Sequence, residues 1–340
     1  MKKICIWGLI LFVLLGARCA YAAAFEIHFI DVGHGDAALV ICDDQTMLID
    51  GGSSEKSSLI YSYLKNHGIL HLDYIIATHA HEDHIGGLAG ALNFATVCTA
   101  YCPVTSYDSK EFLFLDKYLA EQNVSITVPV AGESFALGSA SIEILAPIKE
   151  LNKHNDNSIV LRIVYGDTSF LFTGDAEKEE ERSILNAGYA IQSTVLKVGH
   201  HGRDTSTTSS FLDAISPEYA VISAGKNNQD GYSMNDTFVS LGYAGVQVFR
   251  TDTQGTIICT SDGKNVSFTT EKNQDEDGLP VTPEENVEVK PYILNTNTMK
   301  FHFSTCRSAK QIQEKNKSEH TGSREELIEK GYSPCGNCKP

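Results

Sequence analysis

The chain has 340 residues, 43 of them Asp or Glu against 27 Lys or Arg, for a formal net charge of −16. Such acidity argues against tight non-specific binding to nucleic acid, which needs basic surface to displace counterions. It does not exclude chemistry on a phosphate held locally by metal ions, and the length is ample for one large layered core.

At the N-terminus, Lys2-Lys3, an apolar run from Ile4 to Leu15 and then Ala20-Tyr21-Ala22 read as a secretory signal cleaved after Ala22. The run is shorter than the roughly 20 residues that a spanning helix needs. Arg18, directly before Cys19, argues against a lipoprotein reading. No other segment is apolar enough to cross a bilayer, so no stable membrane insertion is expected once the signal is gone. Removing residues 1–22 takes away Lys2, Lys3 and Arg18 and no acid, which moves the net charge from −16 to −19. The expected location is secreted or extracellular, with retention at the envelope left open.

Short apolar runs with β-branched residues predict strands at 26–32, 37–42, 46–50, 73–78, 124–130, 141–146, 158–165, 168–173, 193–198, 218–223, 245–249 and 255–260. Helical patterns lie between them at 55–67, 84–93, 109–122, 177–188 and 207–215. By pattern alone the fold class is α/β. Of nine cysteines, Cys5 and Cys19 fall in the signal. Cys42 and Cys259 sit in strand-like runs as expected buried thiols. A Cys98–Cys102 disulfide is compatible with an oxidising compartment but is not established by spacing.

The most informative stretch is Thr78-His79-Ala80-His81-Glu82-Asp83-His84-Ile85-Gly86-Gly87. It follows the apolar run Tyr74-Ile75-Ile76-Ala77, so its donors stand on the loop at a strand end. His79 and His81, two apart, point the same way in extended chain and can grip one ion. Asp83 and His84 follow after the chain turns and can face a second. Imidazole and carboxylate together suit zinc, manganese or iron.

This string is the signature of the metallo-β-lactamase fold, and the chain resembles the soluble hydrolase domain of ComEC-type competence proteins from about residue 25 to 262. His28-Phe29-Ile30-Asp31-Val32-Gly33-His34-Gly35-Asp36-Ala37 resembles the opening strand and turn, with His34 where Gln is usual. Met47-Leu48-Ile49-Asp50-Gly51-Gly52, Leu171-Phe172-Thr173-Gly174-Asp175, Lys197-Val198-Gly199-His200-His201-Gly202 and Phe249-Arg250-Thr251-Asp252-Thr253-Gln254-Gly255-Thr256-Ile257 extend the likeness. The likeness is expected to concern this soluble hydrolase part alone, without the multi-span channel of a full competence protein.

The resemblance implies a four-layered αββα sandwich and two divalent ions, zinc or manganese. It places His79 and His81 on the first ion, Asp83 and His84 on the second, and Asp175 between them. His200 is the first choice to complete the second site, with His201 as the neighbour that orients substrate or acts as the acid. Asp83, Asp175, His200 and His201 are the expected catalytic set. His154 is either the third ligand of the first ion or a loop residue. Asp36 and Asp50 are expected to support the ligand histidines, and Asp31 to cap backbone N–H groups. Tyr232 stands where the family tends to carry His, and is a substrate or supporting candidate.

The acidic, Pro-containing segment 271–290 reads as a linker between a hydrolase domain (23–270) and a module at 291–340. In that module eight basic residues face five acidic ones. His302-x3-Cys306 and Cys335-x2-Cys338 give four soft donors at zinc-ribbon spacing. With few large apolar side chains, the module needs a metal or cross-link. It resembles the small zinc-binding domain of Ada-type DNA-repair proteins, which implies one structural zinc.

The expected activity is metal-dependent hydrolysis of a phosphodiester, with extracellular DNA or another nucleic acid as substrate and partner. Alternatives are a cell-surface phosphorylcholine or teichoic acid phosphodiesterase, an ester, β-lactam or lactone hydrolase, and a non-catalytic binding protein. No protein partner can be inferred.

Overall fold

The computed structural model describes residues 25–149, 151, 153–226, 234–273, 277–278, 290–322 and 324–338. The expected secretory signal, most of the linker and Tyr232 lie outside the described residues.

The chain enters as β1 (Phe25–Phe29) and doubles back through β2 (Ala38–Cys42) and β3 (Gln45–Ile49). It then crosses over α1 (Ser57–Asn66) to β4 (His71–Ile76), parallel to β3. After α2 (Glu82–Ile85) and α3 (Leu88–Leu92) come β5 (Thr96–Tyr101), α4 (Lys110–Glu121) and β6 (Ile126–Thr127), again parallel. A second sheet opens with antiparallel β7 (Ser134–Leu137), β8 (Ala140–Ala146), β9 (Val160–Tyr165) and β10 (Thr168–Phe172). It continues in parallel through α5 (Lys178–Ala187), β11 (Val195–Lys197), α6 (Ser209–Ile215), β12 (Tyr219–Ile222), α7 (Asn235–Tyr243) and β13 (Gln247–Arg250). The short α8 (Thr251–Gln254) returns the chain to the first sheet as β14 (Ile257–Ser261) and β15 (Val266–Thr270), with β14 antiparallel to β1.

Strand alternation builds the layers. Phe25, Ile27 and Phe29 of β1, Val40 of β2 and Met47 of β3 face Ile142, Leu161, Phe170 and Phe172 of the other sheet. The intervening Leu39 and Leu48 face the opposite way, onto Ile60 and Leu64 of α1, Leu88 of α3 and Phe112 of α4. Leu171, Leu196 and Ile222 likewise pack under Ile184 of α5, Phe211 of α6 and Leu241 of α7. A period of two therefore splits each strand between two cores, which is the expected αββα sandwich. Each large apolar side chain so buried contributes about 1.5–3 kcal/mol. Local chemistry sets the helix ends: Ser109 accepts from the Phe112 N–H at the start of α4, and Gly188 closes α5 in the left-handed region.

Several elements differ from expectation. β5, β7, β15 and α7 are absent from the sequence reading, because each is short or alternates with Thr, Ser and Glu rather than forming an apolar run. The predicted helix 84–93 divides into α2 and α3 around Gly86-Gly87, where the chain presses on the backbone of Gly51 and Ser53. The motif expected as the closing strand holds α8, and so joins strands of different sheets. Cys98 and Cys102 are free thiols, the first exposed and the second buried. Cys42 and Cys259 are buried free thiols, as expected.

The C-terminal residues form a separate four-stranded sheet from β16 (Lys290–Asn295), β17 (Lys300–Phe303), β18 (Lys317–Gly322) and β19 (Ser333–Pro334), with α9 (Arg324–Glu329). Tyr292, Leu294, Phe301 and Leu327 make one small core cluster. Ile293 packs instead with Cys306, Ala309 and Cys335.

Phe170 stacks on Phe25 across the two sheets at a centroid distance of 4.9 Å. Phe170→Ala should lower the unfolding free energy by about 3–5 kcal/mol, read from urea unfolding of the two proteins.

Candidate metal centre

Strands from both sheets end on the same edge of the sandwich, and the polar residues that follow them converge there. Asp50 follows β3, His79 and His81 follow β4, and Asp83 and His84 lie in α2. Asp175 follows β10, and His200 and His201 follow β11. The carboxyl ends of parallel strands are where α/β folds place such sites.

Asp175 stands at the centre. Its Oδ2 lies 3.7 Å from His79 Nε2 and 3.5 Å from His200 Nε2. Its Oδ1 lies 3.3 Å from His84 Nε2 and 3.6 Å from His201 Nε2. Asp83 Oδ2 faces His201 Nε2 at 3.3 Å and His84 Nε2 at 3.9 Å. On the other side, His79 Nε2 and His81 Nδ1 are 3.0 Å apart. The carboxylate of Asp175 thus divides the donors into two sets, one on each oxygen.

Two carboxylates fix the rings behind this front. Asp50 accepts from the Thr78 N–H at 2.8 Å and the Thr78 hydroxyl at 2.7 Å, and its Oδ2 is 2.8 Å from His84 Nδ1. Asp36 Oδ1 is 3.1 Å from His201 Nδ1, while its Oδ2 pairs with the buried Lys197 ammonium at 2.8 Å. Each carboxylate accepts a hydrogen bond from the Nδ1–H of its ring, which aims the Nε2 inward. The expected support from Asp36 and Asp50 has this geometry. Asp31 caps Gly33 N–H at 3.1 Å and stands outside the donor sets.

The loop carrying the late histidines is braced from α5. Glu181 accepts from the backbone of Thr207 and Thr208, and Ser206 donates to Ala176 O at 2.7 Å. Both histidines are held at positive φ, 48° and 54°. Non-glycine residues there carry roughly 1–2 kcal/mol of strain each, the kind of strain found at functional sites. Of this pair the geometry sets His201, rather than the expected His200, beside Asp83. The reason is the bracing: Asp36 pulls the His201 ring towards α2, while Thr205 Oγ1, 2.9 Å from His200 Nδ1, turns the other ring towards the Oδ2 side. His154 packs edge-on against Tyr107, ring centroids 5.1 Å apart, and its ring is 6.1 Å from that of His81. It lines a cleft of about 1140 Å³ with Tyr107, Lys149, Asn157 and Tyr189.

Three buried atoms in the cluster have no hydrogen-bond partner: His84 Nε2, His201 Nε2 and Asp175 Oδ1. All three point at one another, as donors do around a cation. The residues present therefore fit divalent metal. Burial works against charge on His84, but Asp175 and Asp50 outweigh it and raise its pKa well above the ordinary value. Burial opposes charge on His201 too, yet Asp175 and Asp36 raise it to about 9. On the other side, burial drives His79 well below the usual range and lowers His81 and His200 as well.

In the C-terminal sheet, donor atoms of His302, Cys306, Cys335 and Cys338 all lie within 4.8 Å of one another. His302 Nδ1 is buried without a partner, and the hydrogen bond from His302 holds the Cys306 thiol below the ordinary range. Four soft donors in this arrangement suit a closed tetrahedral zinc site.

Sequence reasoning named the principal donors but missed Thr78 and Lys197. Both stood in motifs already singled out, and what marks them is burial, which the sequence does not display.

Residues 30–226 match the family described as the Metallo-beta-lactamase superfamily. The chain is 32% identical over 251 residues to ComE operon protein 3 of Bacillus subtilis (strain 168), covering 68% of this chain and 32% of that protein. It is 30% identical over 230 residues to competence protein ComA of Neisseria gonorrhoeae, covering 67% and 31%. The chain thus spans about a third of the length of these curated relatives. Among solved structures, the metallo-beta-lactamase fold protein YhfI from Bacillus subtilis aligns with a TM-score of 0.49 at 14% identity, covering 70% of this chain and all of that one. Among the described residues, no helix is long and apolar enough to cross a membrane.

Asp50→Asn removes the charge behind His84 and should weaken divalent-metal binding about 10–100-fold, read by competition with a chelator. The raised His201 pKa has a definite sign. In protein stripped of metal the protonated ring is favoured below pH about 9, and its ion pairs are lost as pH rises through that value. Metal must displace that proton, so affinity measured from pH 6 upward should climb as pH rises through about 9.

Proposed function

The chain belongs to the metallo-beta-lactamase superfamily, a fold of metal-dependent hydrolases, and we propose that it hydrolyses phosphodiesters of nucleic acid outside the cytoplasm. The observation that carries this reading is Asp175, whose two oxygens serve two separate sets of imidazoles. That arrangement suits a pair of ions a few ångströms apart, as phosphodiester cleavage uses. The names of two relatives, competence protein ComA of Neisseria gonorrhoeae and recombination protein 2 of Haemophilus influenzae, support a nucleic acid as the substrate class.

His79, His81 and the Oδ2 of Asp175 would hold the first ion, with His200 on the same side. Asp83, His84, His201 and Oδ1 would hold the second. Bound there, the ions would lower the pKa of water and polarise a phosphoryl oxygen. Asp36 and Asp50 hold the His201 and His84 rings in the required tautomer. The cleft lined by Tyr107, Lys149, Asn157 and Tyr189 offers aromatic faces, one cation and hydrogen-bonding groups to a nucleotide chain. None of its described lining residues is a carboxylate, in a chain otherwise rich in them. The module at 291–340, with its excess of basic residues, would add affinity that the acidic body lacks. Secretion rests on the N-terminal signal pattern.

The test is incubation of the chain from residue 23 with plasmid DNA, bis-p-nitrophenyl phosphate and a chromogenic cephalosporin, each with and without EDTA. DNA and the diester should be cleaved and chelation should stop both; turnover of the cephalosporin alone would overturn the reading. Asp175→Asn should reduce cleavage to the chelated level while the far-UV spectrum is unchanged. Deleting residues 291–340 should remove one equivalent of zinc per chain and leave the core metal, as read by elemental analysis.

A further inference from the structure

The geometry points to His34 as an additional ligand of the second ion, which would make it the third imidazole on that side. The inference rests on the two-ion reading of the centre but concerns a residue outside the motif histidines.

His34 lies on the turn between β1 and β2, and backbone contacts fix that turn from two directions. Gly35 has φ +116°, and a Cβ there would lie 2.2 Å from Asp83 O, so the turn presses directly on the segment that carries Asp83. Asp36 N–H donates to the same carbonyl at 3.3 Å. From the opposite side, a Cβ on Gly225 would come within 2.9 Å of His34 N. Only glycine permits either approach. The backbone of His34 is thus held against the metal centre by contacts that do not involve its ring.

The ring then points at the centre. His34 Nε2 is 3.1 Å from Asp83 Oδ2, the same oxygen that faces His201 Nε2 at 3.3 Å and His84 Nε2 at 3.9 Å. The ring centroids of His34 and His201 are 4.5 Å apart, and the donor atoms of His34, Asp83 and His201 all lie within 4.8 Å of one another. Two ligands at about 2.1 Å from one ion are separated by roughly 3–3.5 Å, which matches the closer of these spacings. A plain His34–Asp83 ion pair would be partly exposed and worth about 0–1 kcal/mol. It would also leave three ring nitrogens crowded on one carboxylate oxygen. A cation among them satisfies all four atoms.

With Asp83, His84, Asp175 and His201, His34 would bring the second ion to five protein donors. That exceeds the four of a closed zinc site and suits an ion that accepts five or six ligands, such as manganese or iron. Two imidazoles stand beside each oxygen of Asp175, but the second side also has the carboxylate of Asp83, so the second ion would be the more tightly held.

The experiment is titration of the full-length protein and of its His34→Gln and His34→Ala variants with Mn2+ under chelator competition, together with visible spectra of the Co2+-loaded proteins. The expected result is a loss of at least 10-fold in affinity for one of the two core ions in both variants, with the other unchanged. The Co2+ absorption of the affected site should change as a nitrogen donor is lost. Unchanged dissociation constants and spectra in both variants would overturn the proposal. Equal weakening of both ions would also overturn it, since that would mean the turn positions the centre without ligating. Failure to cleave phosphodiesters with two ions normally bound would sink the functional reading while leaving this one intact.

Discussion

Asp175 is the one carboxylate on which the centre depends, because each of its oxygens faces different imidazoles. It sits on the turn after β10, in the sheet opposite the His79–His84 segment, so the contact joins the two halves of the sandwich. Folding the two sheets together and assembling the donor cluster are therefore one event. Neither sheet alone contains a complete set on either side.

That assembly works against stability unless something sits among the donors. Three buried atoms lack partners, and each unsatisfied buried polar atom costs roughly 1–3 kcal/mol. Positive φ at His200 and His201 adds strain. The surrounding structure offsets this with apolar layers on both faces of each sheet and with buried ion pairs at Asp36 and Asp50. Those carboxylates cannot relax towards water, so the rings they hold stay aimed at the cluster. The strain and the unpaired atoms gather at one edge, where the chemistry is placed.

The C-terminal module shows the same logic on a smaller scale. Its two small apolar clusters are too few to order the sheet by burial alone. His302, Cys306, Cys335 and Cys338 occupy one face, next to Ile293 and Ala309, and bring together donors separated by nearly the whole module. A metal there would supply the cohesion that the core lacks.

Much of this was legible in the order of residues. His79, His81, Asp83 and His84 are close in the chain, so their spacing and a preceding apolar strand sufficed to identify a metal-binding loop. Strands with consecutive large apolar residues, such as β3 and β10, were equally plain, since each buries both faces. The late pair His200-His201 was recognisable as a motif, but not which ring serves which side. That choice depends on Asp36, 165 positions away, and on Thr205, both brought into place by packing. Likewise Lys197 and Thr78 gain their roles only through Asp36 and Asp50, carboxylates distant from them in the chain. A sequence determines which donors exist and which lie on one short segment. The direction in which each lone pair points is set by contacts across the fold, and only the tertiary structure decides it.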